Sequence, residues 1–254
     1  MSLTATPRGT HHAAPDLAPS PGTTENLSRV AEAPARLAGR WPIAGFVAAV
    51  SAFLFTGIGS KYYDDAVTDK GVDGVYETVK DGGVLQHVAM DLAFLAAITL
   101  GLFAAGFVRF IASRTPAGSG ADALARLGMT GAVTLTVLIA SFKAIYRGGL
   151  PGHMDHVMYT KDSVAVLDVV VGQLQYVALW PLTLTMAAVL ALVFKHRTLP
   201  RWYGVVTGLI LTATLLMAFV LGLPYFAGLV GPIWIAVSAV VALRHRSRPV
   251  GIAV

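Results

Sequence analysis

The segment from Leu150 to Asp162, LPGHMDHVMYTKD, gathers histidine, aspartate, lysine and tyrosine side chains in a chain that is otherwise mostly apolar. His153 and His156 are spaced i, i+3, so a helical turn would place both imidazoles on one face, with Asp155 between them in the chain. Imidazole and carboxylate groups at such spacings bind divalent transition metals such as Zn²⁺. The segment therefore predicts a metal site at these three residues, and a divalent transition metal is the one cofactor that the sequence suggests. The alternative is a solvated loop without a ligand.

Further ionisable and amide side chains interrupt the apolar runs before and after this segment. His87 and Asp91, in QHVAMD, are spaced i, i+4 and share a helix face. Together with Lys143 and Asp168 they are the predicted acid–base or ligand-binding groups, because histidine, carboxylate and amine side chains can exchange protons with a substrate. The predicted substrate-binding residues are close to Lys143 and Asp168 in the chain: Tyr146, Arg147, Gln173 and Gln175.

The composition indicates the class of protein that must position these residues. Of the 254 residues, 55% are hydrophobic and only 13% are charged, and the mean hydropathy is +0.66. A soluble domain carries about 25% charged residues, so the composition predicts an integral membrane protein. The chain has no cysteine, which excludes disulfides, thiolate catalysis and iron–sulfur clusters from its own residues.

Six apolar runs are each near the roughly 20 residues that a helix needs to cross a bilayer. They predict an all-α fold, a six-helix transmembrane bundle within residues 41–246. The predicted helices are 41–58, 84–111, 124–146, 164–194, 202–223 and 224–243. The outer loops are then 59–83 and 147–163. Residues 1–40, rich in Pro, Ala, Ser and Thr, are expected to form a mostly disordered tail, and residues 247–254 a second tail.

Basic residues predict the orientation of this bundle. Four clusters of them precede, flank or follow the predicted helices: Arg29, Arg36, Arg40, then Arg109, Arg114, Arg126, then Lys195, Arg197, Arg201, and finally Arg244, Arg246, Arg248. The loop 59–83 instead holds six acidic residues against three lysines. By the positive-inside rule, the basic side and both termini are predicted to be cytoplasmic, with the protein in the cell (inner) membrane. The net charge of +5 is thereby explained and does not indicate a nucleic-acid partner.

Counting along the helices predicts the depth of the polar residues. Asp91 precedes Arg109 by 18 residues, or about 27 Å of helix, in a hydrocarbon core of about 30 Å. Lys143 follows Arg126 by 17 residues and lies at nearly the same level. The polar residues are therefore expected at the outer boundary of the membrane, either as a binding site or as structural charge pairs.

The last two predicted helices resemble a known group of proteins. The text RTLPRWYGVVTGLILTATLLMAFVLG, followed by GLVGPIWIAVSAVVALRHR, is similar to the end of a bacterial family of six-helix integral membrane proteins of unknown function. The shared motif is a basic LPRW entry and a Gly-rich apolar helix. The resemblance implies a six-helix bundle and assigns no catalytic residue.

Three functions are consistent with this sequence. The first is a membrane-embedded enzyme, or a protein that binds a small apolar or lipid-like molecule, with an outward-facing polar pocket. The second is an accessory or assembly subunit of a membrane complex, in an oligomer or with partner subunits. The third is a small-molecule transporter, which predicts discontinuous helices and polar groups near the bilayer midplane.

Overall fold

The computed structural model describes residues 39–59, 65–148 and 159–245, and every regular element in these ranges is helical. The α-helices are α1 (Trp41–Gly59), α2 (Asp65–Thr68), α3 (Gly71–Asp81), α4 (Gly83–Ala112), α5 (Ala121–Gly148), α6 (Lys161–Val177), α7 (Leu182–Leu190), α8 (Arg201–Phe219) and α9 (Phe226–His245). A π-helical turn, Ala191–Lys195, follows α7.

Six helical stretches are long and apolar enough to cross a membrane. They are Trp41–Ile58, Gly83–Ala112, Ala121–Ile145, Lys161–Lys195, Arg201–Phe219 and Phe226–His245, numbered here as spans one to six. The predictions of an all-α fold and of six membrane-spanning helices are confirmed for the described residues. The protein is thus a multi-pass integral membrane protein.

The two ends of the bundle differ in charge and are called here the basic end and the acidic end. The basic end carries Arg109, Arg126, Arg201 and Arg244. The acidic end is the opposite one, where α3 lies.

The first connection contains helix α3, where the sequence predicted only a loop. Its apolar residues, Val72, Val75, Tyr76 and Val79, follow the i, i+3, i+4, i+7 spacing of an amphipathic helix. Val79 is fully buried, and Val75 and Tyr76 pack against the same core. The acidic end is therefore covered in part by an ordered amphipathic helix.

Span four is discontinuous. Helix α6 ends at Val177, and α7 begins only after a turn over residues 178–181 that ends at Pro181. Proline cannot donate a backbone hydrogen bond and clashes with the preceding helical turn, so it separates the two helices. A Cβ on Gly131 of α5 would lie 2.8 Å from the Cβ of Pro181, and a Cβ on Gly228 of α9 would lie 2.7 Å from the Cα of Tyr176. Two other spans thus approach the break too closely for larger side chains.

Two clusters of buried apolar side chains hold the spans together. The larger cluster contains an aromatic stack in which Phe103 and Phe107 have ring centroids 5.2 Å apart, and Trp234 meets Phe107 edge-on at 5.9 Å. The smaller cluster joins α1, α3, α4, α5 and α6, and includes Phe55 and Ile139. The candidate site lies on the helices of the smaller cluster.

Candidate ligand-binding site

Lys143 and Asp168 lie at the same level on adjacent antiparallel spans. The register follows from two contacts: Gly131 meets Pro181, and Thr185 Oγ1 donates to the carbonyl of Ala125 at 3.3 Å. Lys143 follows Gly131 by 12 residues, and Asp168 precedes Pro181 by 13. Both residues are therefore about 18–20 Å from that contact, toward the acidic end.

Both of these charged residues are buried. Lys143 is 2% exposed and Asp168 is 8% exposed. Each has an interaction partner in the fold. An isolated buried charge is costly, so the partner of each residue compensates for its burial. The register and the burial make these two residues the charged centre of the candidate site.

Among the described residues, Gln175 is the buried polar side chain whose polar atoms lack a hydrogen-bond partner. It is 1% exposed, and neither its Nε2 nor its Oε1 has a hydrogen-bond partner among the described residues. Gln175 follows Asp168 by seven residues, so it lies about 10 Å closer to the basic end along α6. The side chain thus presents two unused donor hydrogens and an unused acceptor inside the bundle.

The level of Gln175 corresponds to the middle of span one. It precedes Pro181 by six residues, so the register with α5 places it opposite residue 137. Val133 of α5 lies opposite Gly101 of α4, and Phe103 of α4 meets Gly45 of α1. Counting the same number of residues along each helix from these contacts places Gln175 level with Ser51. Ser51 is a buried residue near the centre of α1. Lys143 and Asp168, about 10 Å away, are level with the end of α1.

His87 and Asp91 face away from the buried charged residues. The His87 Nε2 and Asp91 Oδ2 atoms are 3.6 Å apart, and their side chains are 51% and 61% exposed. The opposite face of α4 carries Gln86, Ala89 and Ala93, all of which are buried. The predicted set of four acid–base residues therefore divides into a buried pair on α5 and α6 and an exposed pair on α4.

The predicted substrate-binding residues also occupy different environments. Arg147 Nη1 donates to the carbonyl of Gly83 at 2.6 Å, which ties the end of α5 to the start of α4. Gln173 is exposed on α6, unlike Gln175. Tyr146 is within α5, but its side chain is outside what the structure describes.

The predicted metal site, at His153, Asp155 and His156, lies outside the described residues. Within the described ranges, no group of three or more histidine, aspartate or glutamate residues is arranged to hold a metal ion. The metal site therefore stays a prediction.

Gln86 is a buried residue that the sequence analysis did not select. It shares a helix face with Ala89 and Ala93 and has an interaction partner in the fold. The sequence feature that could have identified Gln86 as buried is its spacing of three and seven residues from Ala89 and Ala93. This spacing places all three residues on the packed face of α4.

The polar groups between α8 and α9 are, by contrast, fully connected. Tyr203 Oη and Ser238 Oγ are 2.7 Å apart, and Ser238 Oγ donates to the carbonyl of Trp234 at 2.8 Å. Trp234 Nε1 donates to Thr207 Oγ1 at 3.2 Å. All four residues are buried. This network joins two spans and leaves no side-chain polar atom in it unpaired.

No family model, curated protein or solved structure matches this chain. The resemblance of the last two helices to a six-helix family therefore stays a prediction.

Proposed function

We propose that the protein binds a small polar or lipid-like ligand inside the half of the bundle nearest its acidic end. Lys143, Asp168 and Gln175 are the proposed contacts. The observation that carries this proposal is the buried, unpartnered amide of Gln175. Leaving such an amide unpaired in an apolar interior costs about 1–3 kcal/mol. A ligand that offers both a donor and an acceptor would remove this cost.

The three side chains define the chemistry of the ligand. The ammonium of Lys143 attracts an anionic oxygen, the carboxylate of Asp168 accepts from an amine or hydroxyl, and the amide of Gln175 does both. A ligand with an anionic group and a donor group, such as a zwitterion or a lipid headgroup, matches this set. If the ligand reacts, Asp168 is the proposed proton acceptor, and Lys143 the group that stabilises developing negative charge.

Four of the remaining predicted site residues, His87, Asp91, Tyr146 and Arg147, have a proposed role at the entrance. His87 and Asp91 are exposed on α4 at or beyond the level of Lys143. Arg147 belongs to the end of α5 that points to the same side. Gln173 is exposed on α6 only two residues before Gln175, and it is not one of the proposed contacts. His87, Asp91, Tyr146 and Arg147 are proposed to meet the ligand before it reaches the buried site.

The first experiment replaces Gln175 by Met, which has a similar volume and no amide. Gln173→Met, an exposed change on the same helix, is the matched control. Native mass spectrometry of the protein extracted from its own membrane would detect a bound molecule. We expect the wild-type chain and the Gln173 variant to retain it and the Gln175 variant to lose it. Equal retention in all three would contradict the proposed contact.

Transport is the second candidate, because span four is discontinuous beside Gln175. Transporter sites commonly lie near the midplane where helices are interrupted. Uptake of the molecule found by mass spectrometry into proteoliposomes would test this function. Accumulation that Gln175→Met abolishes would favour transport, and binding without accumulation would favour a binding protein or an enzyme.

The cytoplasmic location of the basic end, and with it of both termini, is also proposed. It is supported by the arginines at that end and by the positive-inside rule. The absence of cysteine makes a direct test simple, since one introduced thiol is then unique. We expect Glu77→Cys, in α3, to react with an impermeant maleimide in intact cells, and Ala117→Cys to react only after lysis. The reverse pattern would invert the topology.

The metal site at His153, Asp155 and His156 is proposed as a separate feature. Metal analysis of the purified protein should find a near-stoichiometric divalent ion that a His153→Ala/His156→Ala double variant loses. Metal-free protein would leave this segment as a connection between spans three and four.

A further inference from the structure

A groove on the bilayer-facing surface runs between α4 and α5 toward the basic end. It has a volume of about 490 Å³ and is lined mainly by small or apolar residues such as Gly101, Ala105 and Val133, together with Thr130 and Thr134. Arg109 and Arg126 line the same groove. The distance along α4 from Gly101 to Arg109 is about 12 Å.

The two arginines are available to a ligand. Both are exposed, and neither forms an ion pair with a described residue. They come from different helices and face one cavity, so a single anionic group can meet two guanidinium groups. Arginine is well suited to this role because its planar fork binds phosphate oxygens in a bidentate manner.

We propose that this groove is a binding site for one anionic phospholipid. The phosphate lies between Arg109 and Arg126, and an acyl chain follows the groove toward Gly101. Charge and shape both favour a lipid over a soluble anion, because the apolar length of the groove opens to the hydrocarbon region. The site is at the opposite end of the bundle from Lys143 and Asp168, and it does not depend on which compartment the basic end faces.

Asp122 provides an internal check on this proposal. A second groove of about 570 Å³ contains Asp122 and Arg126 among its lining residues, so this carboxylate is a neighbour of one of the two guanidinium groups. Its negative charge opposes a lipid phosphate at Arg126. Removing that charge should therefore strengthen lipid binding, whereas removing the arginines should weaken it.

The test uses the full chain in detergent, titrated with phosphatidylglycerol or with phosphatidylcholine and followed by native mass spectrometry. We expect the wild-type protein to prefer phosphatidylglycerol, and Arg109→Gln/Arg126→Gln to lose roughly 30-fold in that affinity, since each basic group near an anionic surface contributes about 1 kcal/mol. Asp122→Asn should bind phosphatidylglycerol more tightly than wild type. Gly101→Leu, which fills the groove and leaves the charges intact, should weaken the binding.

The matched control is Arg201→Gln/Arg244→Gln, which removes two exposed arginines from the same end but outside the groove. Unchanged binding in this control supports the site. An equal loss in the control would overturn it, since the attraction would then be diffuse. Competition by inorganic phosphate alone, with no effect of Gly101→Leu, would overturn the lipid assignment. A wild-type melting temperature for each variant in phosphatidylcholine shows that folding is intact.

Discussion

Two regions of this bundle bury polar side chains, and the regions differ in whether those side chains are hydrogen-bonded to one another. Between α8 and α9, Tyr203, Ser238, Trp234 and Thr207 form a connected network. In the half nearest the acidic end, Lys143 and Asp168 are buried at one level, and the amide of Gln175 has no hydrogen-bond partner among the described residues. The first pattern holds two helices together. The second leaves the donor and acceptor atoms of the Gln175 amide unpaired, as expected for a ligand-binding site without its ligand.

The largest expected effect comes from the buried charges. Lys143→Met or Asp168→Leu alone should lower the free energy of unfolding by about 3–5 kcal/mol, because the change leaves a charge buried without compensation. The double variant should lose much less than the sum of the single changes. Denaturant unfolding in detergent would measure all three. Strictly additive losses would mean that the two residues are independent.

Packing around the break in span four should give the next largest effect. A Cβ on Gly228 would meet the backbone of Tyr176, so Gly228→Ala should cost about 1–3 kcal/mol by overpacking. Gly172→Ala on α6 has open space around the new methyl group and serves as the control. It should stabilise the protein by up to about 1 kcal/mol, since alanine favours a helix. Equal melting temperatures for the two variants would show that the helices around the break move apart at little cost to accommodate the added methyl group.

The two kinds of polar burial should respond with opposite signs. Tyr203→Phe removes a hydroxyl from the connected network and should lower stability by about 1 kcal/mol. Gln175→Met removes an unpaired amide and should raise stability, in the absence of ligand, by a similar amount. Thermal unfolding of the delipidated protein would compare them. A loss of stability in both variants would mean that Gln175 is paired in solution, and the contrast between the regions would disappear.

The smallest effect is expected outside both regions. Lys161 Nζ lies 3.2 Å from Asp73 Oδ1, and both side chains are mostly exposed. Such pairs contribute about 0.2–1 kcal/mol because water and salt screen them. Lys161→Ala should therefore change the melting temperature little, and less still in high salt. A large shift would show that α3 depends on this contact for its position against α6.

The spans could be predicted from sequence because a bilayer imposes a length and a composition on each helix. The height of Lys143 along its helix follows from residue counting as well, whereas its depth in the membrane stays a prediction. Counting does not give the direction in which a side chain faces, because that depends on which neighbours pack against it. His87 and Asp91 share a face as predicted, yet the packed face of α4 is the alanine face beside Gln86.

Two features of the fold were less visible in the sequence for specific reasons. Helix α3 has an amphipathic spacing, but its acidic residues and glycines gave the connection the character of a loop. Pro181 marks the break in span four, yet its consequence depends on Gly131 and Gly228, which come from other spans. Tertiary contacts of this kind cannot be read from one segment alone.

The unequal lengths of the spans have a consequence for the membrane around the protein. Helices α1, α8 and α9 have 19 or 20 residues, whereas α4 and α5 have 30 and 28. The short helices match a hydrocarbon thickness of about 30 Å, and the long ones exceed it by more than 10 Å unless they tilt or project into water. Lipids beside α8 and α9 therefore contact shorter helices than lipids beside α4 and α5. The protein should favour membranes of modest thickness. A change in bilayer thickness should change the tilt of α4 and α5 relative to the bilayer normal.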